Sequence, residues 1–257
     1  MATTTSITVR EIPLVGLLLR RADDALVLGH RLSEWCGHAP VLEEELALAN
    51  LALDLIGQAR ALYAFAADAE GGQHGEDDFA YLRDARQFRN LLLLEQPNGD
   101  FAATIVRQLL YSAFIDPWWH LAARSSEPRF AEIAAKAEKE SAYHLRHAAD
   151  WLLRLGDGTA ESHRRAQAAL EWLWPYTGEL FEPEAPDLVA ASVCPDPPAL
   201  REAWQGTVFP LLAEATLSRP ADGWMQTGGR AGRHSEHLGH LLSELQYLQR
   251  SYPGAQW

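Results

Sequence analysis

Lysine and cysteine are scarce in this chain. Of its 22 basic residues only Lys136 and Lys139 are lysines, while 35 residues are acidic, giving a formal net charge of −13. That balance argues against a nucleic-acid binder, whose phosphate contacts need clustered Lys and Arg. It leaves room for an anionic ligand held by a local arginine cluster. Cys36 and Cys194 show no CxxC spacing and form no disulfide framework, which suits a reduced, cytoplasmic protein. The apolar runs, such as Leu51 to Ile56, are broken by charge and fall far short of the roughly 20 residues of a membrane span. The opening stretch MATTTSITVREIPLVGLLLRRADD lacks the pattern of a secretory leader, so none is expected. Strand-like alternation is missing, as is any repeat of solenoid length. So are G-x-S-x-G, the P-loop and a G-x-G-x-x-G following a strand.

What is present is helical periodicity. Within the 257 residues, hydrophobic side chains make up 47% and charged ones 22%, ordinary values for a globular protein with a large core. Apolar positions at Val15, Leu18, Leu19, Ala25, Leu28 and Leu32 predict a helix over 14–36, closed by Gly37 and Pro40. A second helix is expected over 42–69, ending at Gly71-Gly72, and a shorter one over 78–93. Pro97-Asn98-Gly99 marks a turn, after which Asp100 can cap a helix reaching about Arg124, kinked at Pro117. A fourth long helix is expected over 128–155. Thr159 can cap a fifth, which ends near Trp174-Pro175. A Pro-rich acidic loop (182–198), a helix (198–217), a Gly-rich loop (219–232) and a last helix (233–250) complete the chain. Short connections join the first and second, and the third and fourth, long helices. This predicts two antiparallel hairpins linked by a crossover: an all-α, ferritin-like four-helix bundle. One domain, 1–257, is expected, with its core bundle at about 14–155 and additional helices at about 159–250.

Such bundles often hold two metal ions, with a Glu from each of two helices and a Glu-x-x-His pair from each of the other two. Residues i and i+3 share a helix face, so a carboxylate and an imidazole can reach one metal. This chain fails the template. In the second helix Asp54 is expected to face inward, but three residues on stands Gly57, which has no side chain to coordinate. The fourth helix offers Glu140, Tyr143, His144 and His147, with neither spacing giving Glu-x-x-His. The middle of the third helix carries Arg107, a cation that cannot ligate metal but could neutralise inward carboxylates such as Asp54 or Glu140. Asp23, Asp24 and Glu34 are available on the first helix, Asp24 chosen by its separation of about 30 residues from the next ligand helix. Asp24, Asp54, Arg107, Glu140 and His144 are therefore candidates for the remnant of a lost di-iron site. Blander readings stand beside this one. Asp54 and Glu140 can be surface residues, and His144 and His147 interface or capping histidines. The series His234, His237 and His240 flanks a buried stripe of Leu238, Leu241, Leu242, Leu245 and Leu248. Trp118, Trp119, Trp172 and Trp174 read as core or interface anchors. The Gly-rich GWMQTGGRAG precedes a helix and could meet an anion.

Four stretches carry a family resemblance: LANLALDLIGQAR (48–60), RDARQFRNLLLLEQPNGDFA (83–102), KESAYHLRHAADWLLRLGDGT (139–159) and GRHSEHLGHLLSELQYLQRSYPGA (232–255). The chain resembles, over nearly its whole length, the PaaC-type structural subunits of bacterial phenylacetyl-CoA epoxidases. The resemblance implies a ferritin-like fold and a place in a multicomponent monooxygenase, a hetero-oligomer that converts phenylacetyl-CoA to its ring-1,2-epoxide in aerobic phenylacetate breakdown. It implies a homologous catalytic subunit that holds the di-iron centre and binds the acyl-CoA, and a small bridging subunit. A reductase carrying FAD and an iron–sulfur cluster would deliver electrons from NADPH. The chain itself would hold no cofactor or metal and carry no catalytic residue. Two other readings remain open at this point: a di-iron oxygenase in its own right, against which Gly57 speaks, and a stand-alone helical binding protein.

Overall fold

The structure is a computed structural model that describes residues 6–10 and 12–255. Its described residues form eleven α-helices and no strand. They are α1 (Pro13–Ser33), α2 (Leu42–Glu70), α3 (Glu76–Tyr81), α4 (Leu92–Glu95), α5 (Phe101–Ala122), α6 (Pro128–Gly156), α7 (Ala160–Leu173), α8 (Pro186–Ala190), α9 (Arg201–Glu214), α10 (Glu236–Leu245) and α11 (Tyr247–Ser251). The four long helices α1, α2, α5 and α6 form a ferritin-like bundle from two hairpins, α1 against α2 and α5 against α6.

Local chemistry sets the ends of these helices. Asp100 caps α5 by accepting from the Ala103 N–H (3.0 Å), and Thr159 caps α7 by accepting from the Ser162 N–H (3.1 Å). α2 stops where Gly71 takes φ +111°, a conformation that a side chain would oppose. α5 runs through Pro117 without interruption. Gly29 brings the first hairpin together. A Cβ there would stand 3.1 Å from Ile56 Cγ1 and 3.3 Å from the Ala52 carbonyl oxygen.

Burial differs sharply among the four. Nearly every residue of α5 from Ala102 to Ile115 is buried, because α6 covers one side and α7 and α9 cover another. α6 is amphipathic, burying Phe130, Ala134, Ala137, Ala148 and Leu152 and exposing charge. The aromatic cluster Trp118, Trp119 and Phe130 fills one end of the α5–α6 hairpin, Trp118 and Trp119 meeting edge-on with ring centroids 4.7 Å apart. Trp174 is also buried, while Trp172 is partly exposed.

Two expected helices are broken. The expected 78–93 helix is instead α3, a 3₁₀ turn (Ala85–Gln87) and the single-turn α4. The expected 233–250 helix divides at Gln246, whose side-chain amide donates to the Ala80 and Arg83 carbonyls at 2.9 and 3.0 Å. Leu238, Leu241 and Leu242 are buried as expected, but Leu245 is only partly buried and Leu248 is exposed. The C-terminal segment thus crosses back over the crossover. Gly229 makes the contact possible, since a Cβ there would fall 2.2 Å from the Asn90 carbonyl oxygen.

Candidate functional site

The structure divides the five candidate residues among three places. Only Asp54, Glu140 and His144 come together, along the seam between α2 and α6. His144 Nε2 lies 3.1 Å from Asp54 Oδ2. The Gln58 amide donates to Glu140 Oε2 (2.8 Å), and Lys136 Nζ sits 3.4 Å from Glu140 Oε1. One further pair continues the seam, His147 Nε2 to Glu44 Oε2 at 2.9 Å. Asp54 does not face the bundle interior. Its side chain is 37% exposed, whereas that of His144 is 4% exposed. The apolar run around it misleads, because α2 is apolar on its outer side as well as its inner one.

Arg107 does not neutralise Asp54 or Glu140. It is buried and donates to the Gln96 carbonyl (2.7 Å) and to Asn98 Oδ1 (2.6 Å), fixing the Pro97-Asn98-Gly99 turn. Burial, and then the nearby Arg31 cation, lower the Arg107 guanidinium to about 9, partly opposed by Glu34, so it stays charged at neutral pH.

Asp24 lies elsewhere again, in a belt of buried ions between α1, the crossover and the C-terminal loop. Arg230 grips it with two bonds, Nη1 to Oδ1 (2.9 Å) and Nη2 to Oδ2 (2.8 Å). The Leu91 N–H donates to the same carboxylate at 2.9 Å. Arg21, whose guanidinium stacks 4.5 Å from the Trp118 ring centroid, bonds Glu184 at 2.5 Å and approaches Asp24 at 3.4 Å. Burial acts to raise Glu184, but Arg21, Arg20 and Arg230 outweigh it and hold that carboxyl below its ordinary range. Neighbouring Asp23 accepts from Arg83, from the Tyr63 hydroxyl (2.6 Å) and from the Arg89 N–H (2.7 Å). Tyr63 is pushed far up, by burial first and then by Asp23.

Two glutamates complete the belt. Glu179 accepts from the backbone N–H groups of Leu92 (2.7 Å), Gly228 (2.9 Å) and Gly229 (2.6 Å). The anion met by the Gly-rich loop is thus the chain's own carboxylate, which burial raises against the pull of these backbone donors. Glu95 accepts from Asn90 (2.9 Å), the Ser235 N–H (2.6 Å) and His234 Nδ1 (2.7 Å). The other His234 nitrogen faces the Phe88 carbonyl at 3.0 Å. With acceptors on both nitrogens the ring is set up as an imidazolium. Burial works to lower its pKa, but the bonds to Glu95 and Phe88 prevail and raise it. His237 and His240 do not join it.

Sequence reasoning named Asp23 as available but chose Asp24, and it missed Arg83, Glu95, Glu179, Glu184 and Arg230. The available signal was the density of Arg, Asp, Asn and Glu in the crossover, where an amphipathic helix would have shown a clean stripe.

The donor set does not fit a di-iron centre. Such a site needs carboxylates from all four helices converging on one interior point. Here the α1 aspartates are committed to the belt. The level of α5 between Arg107 and Tyr111 offers Gln108, fully buried, in place of a carboxylate. The α2 and α6 carboxylates sit at a half-open seam, with Gly57 three residues after Asp54. Among the described residues no group of three or more His, Cys, Asp or Glu side chains could hold a metal ion. No helix among them is long and apolar enough to cross a membrane.

A family model described as "Phenylacetic acid catabolic protein" matches residues 1–257. The chain is 50% identical over 251 residues, 95% of its own length and 99% of the relative's, to an Escherichia coli (strain K12) protein named as one of the subunits of 1,2-phenylacetyl-CoA epoxidase.

Proposed function

The chain belongs to the phenylacetic acid catabolic protein family, and we propose that within it this chain is a non-catalytic subunit of a phenylacetyl-CoA epoxidase. It pairs with a homologous catalytic subunit and stabilises it. That partner holds the di-iron centre and the acyl-CoA, and a small bridging subunit and a reductase using FAD, an iron–sulfur cluster and NADPH complete the enzyme. The assembly works in the cytoplasm, consistent with two unpaired cysteines, of which buried Cys194 is pushed up to about 12, chiefly by burial, and so is inert as a thiol.

One observation carries the non-catalytic reading. Where the fold's metal chemistry would need free converging carboxylates, each acidic side chain already has a partner. Asp24 is taken by Arg230, Asp54 by His144, and Glu140 by Gln58 and Lys136. Binding metal at the seam would require giving up these bonds, and α5 would still supply no carboxylate.

Reconstitution tests the reading. Phenylacetyl-CoA, dioxygen, NADPH, the bridging subunit and reductase are supplied to this chain, to the catalytic subunit, and to both together. Epoxide is expected from the mixture, none from this chain alone, and a large loss when it is omitted. Turnover by this chain alone would overturn the proposal, as would full activity in its absence.

A further inference from the structure

α2 is the anomaly of the bundle. Its inner face buries Leu48, Leu51, Leu55 and Leu62, as a bundle helix should. Its outer face is also apolar: Leu42, Leu46 and Leu53 are 69%, 58% and 66% exposed. Gly57, Ala61 and Ala64 continue the same stripe, each falling one or two turns after the last. Nothing stands within 4 Å of a Cβ placed on Gly57, so the half-buried stripe allows close approach there. An exposed apolar stripe of this size marks a contact surface.

The adjoining face of α6 is different. It is charged, carrying both lysines of the chain, Lys136 and Lys139, with Arg146, Glu132, Asp150 and the half-exposed Tyr143. The α2 side of the face carries Glu43 and Asp54 at its edge and Asn50 and Arg60 among the apolar residues. Between the two helices a groove of ≈ 210 Å³ opens at Gly57, Ala61 and Ile133.

We infer that the α2–α6 face is the docking surface for the homologous catalytic subunit, an inference that rests on the pairing proposed above. Length and area choose this occupant. From Leu42 to Ala64 the stripe runs about 33 Å at 1.5 Å per residue. Only a partner helix of similar length covers it, and a ferritin-like subunit has such helices. Two helices side by side over that length present roughly 700 Å², close to the about 800 Å² per partner of a stable interface. Both helices carry charge of both signs, Glu43 and Arg60 on α2, and Glu132 and Asp150 beside the lysines on α6.

The test replaces Leu46 and Leu53 with glutamate. Both side chains point to solvent in the free chain, so Leu46→Glu/Leu53→Glu should keep its helical circular dichroism and thermal midpoint. Tyr252→Glu, in the exposed C-terminal region, is the control. Affinity of the full chain for the catalytic subunit is measured by sedimentation. The double variant is expected to weaken binding about 100-fold or more, with the control unchanged. Hydroxyl-radical footprinting of the wild-type complex reads the same surface without mutation, with Leu46, Leu53 and Tyr143 expected to be protected. Wild-type affinity in the double variant, or equal labelling with and without the partner, overturns this surface while leaving the pairing intact. If the wild type ignores the catalytic subunit, or covers Leu53 with a second copy of itself instead, the surface assignment and the pairing fall together.

Discussion

Asp24 and Asp54 are both aspartates in the middle of long bundle helices, and their environments could hardly differ more. The Asp24 side chain is 0% exposed and held by two Arg230 bonds, a backbone N–H and the edge of Arg21. The Asp54 side chain is 37% exposed and shares one hydrogen bond with His144. In the belt, every buried carboxylate meets a guanidinium, an imidazolium or several backbone donors, as burying charge demands. At the half-open seam one or two partners each suffice. Buried ion pairs often add little net stability over a well-packed apolar core, but they tolerate few alternative arrangements. The belt therefore fixes where the crossover and C-terminal loop sit on α1. The seam leaves α2 and α6 sparsely joined, with an apolar outer face.

The largest way to break this contrast is Arg230→Ala. It leaves Asp24 buried without its bidentate partner and should cost roughly 3–5 kcal/mol, the scale for removing one member of a buried pair. Urea unfolding measures this, and a loss within error would mean that the belt relaxes freely. Arg107→Ala comes next. It strands the Gln96 carbonyl and Asn98 Oδ1 and should cost about 2–3 kcal/mol through the turn, with no change in the seam. Coupling of Arg107→Ala to Glu140→Gln in a double-mutant cycle would show that the two regions communicate after all.

His234 sharpens the comparison through pH. Its folded pKa is raised, so its stabilisation is complete below the unfolded value of about 6.5 and is lost as pH rises through the higher folded value. The wild type should lose stability over that window on going alkaline, and His234→Gln should flatten the dependence at a cost of about 1–2 kcal/mol. A variant with the wild-type pH profile would assign the dependence to another group. The smallest effect is expected from Asp54→Asn. Its half-exposed pair should be worth less than about 1 kcal/mol, and a larger loss would mean that the seam is as tightly built as the belt.

The four long helices were legible because their stripes and their caps, Asp100 and Thr159, are local signals. The crossover was not, because its backbone is satisfied from far away. The Arg89 N–H goes to Asp23 and the Leu92 N–H to Glu179, contacts 66 and 87 residues apart that leave no periodic trace. The same holds for Gln246, which ends α10 by bonding to α3 and the residues just after it. Of the candidate site, spacing found the three residues that one seam unites. Spacing could not separate Asp24 from its neighbour Asp23, nor see that the charged partner of Asp24 is Arg230, 206 residues away, rather than Arg107. It also turned Asp54 inward, when that residue borders the exposed outer side of α2.

Iron content tests the central claim most directly. This chain, purified alone and loaded anaerobically with ferrous iron, is compared with its complex with the catalytic subunit. The account predicts no stoichiometric iron on the chain alone and an iron content in the complex that tracks the catalytic subunit. About two tightly bound irons per chain in the isolated protein would contradict it and make this bundle an oxygen-activating centre in its own right.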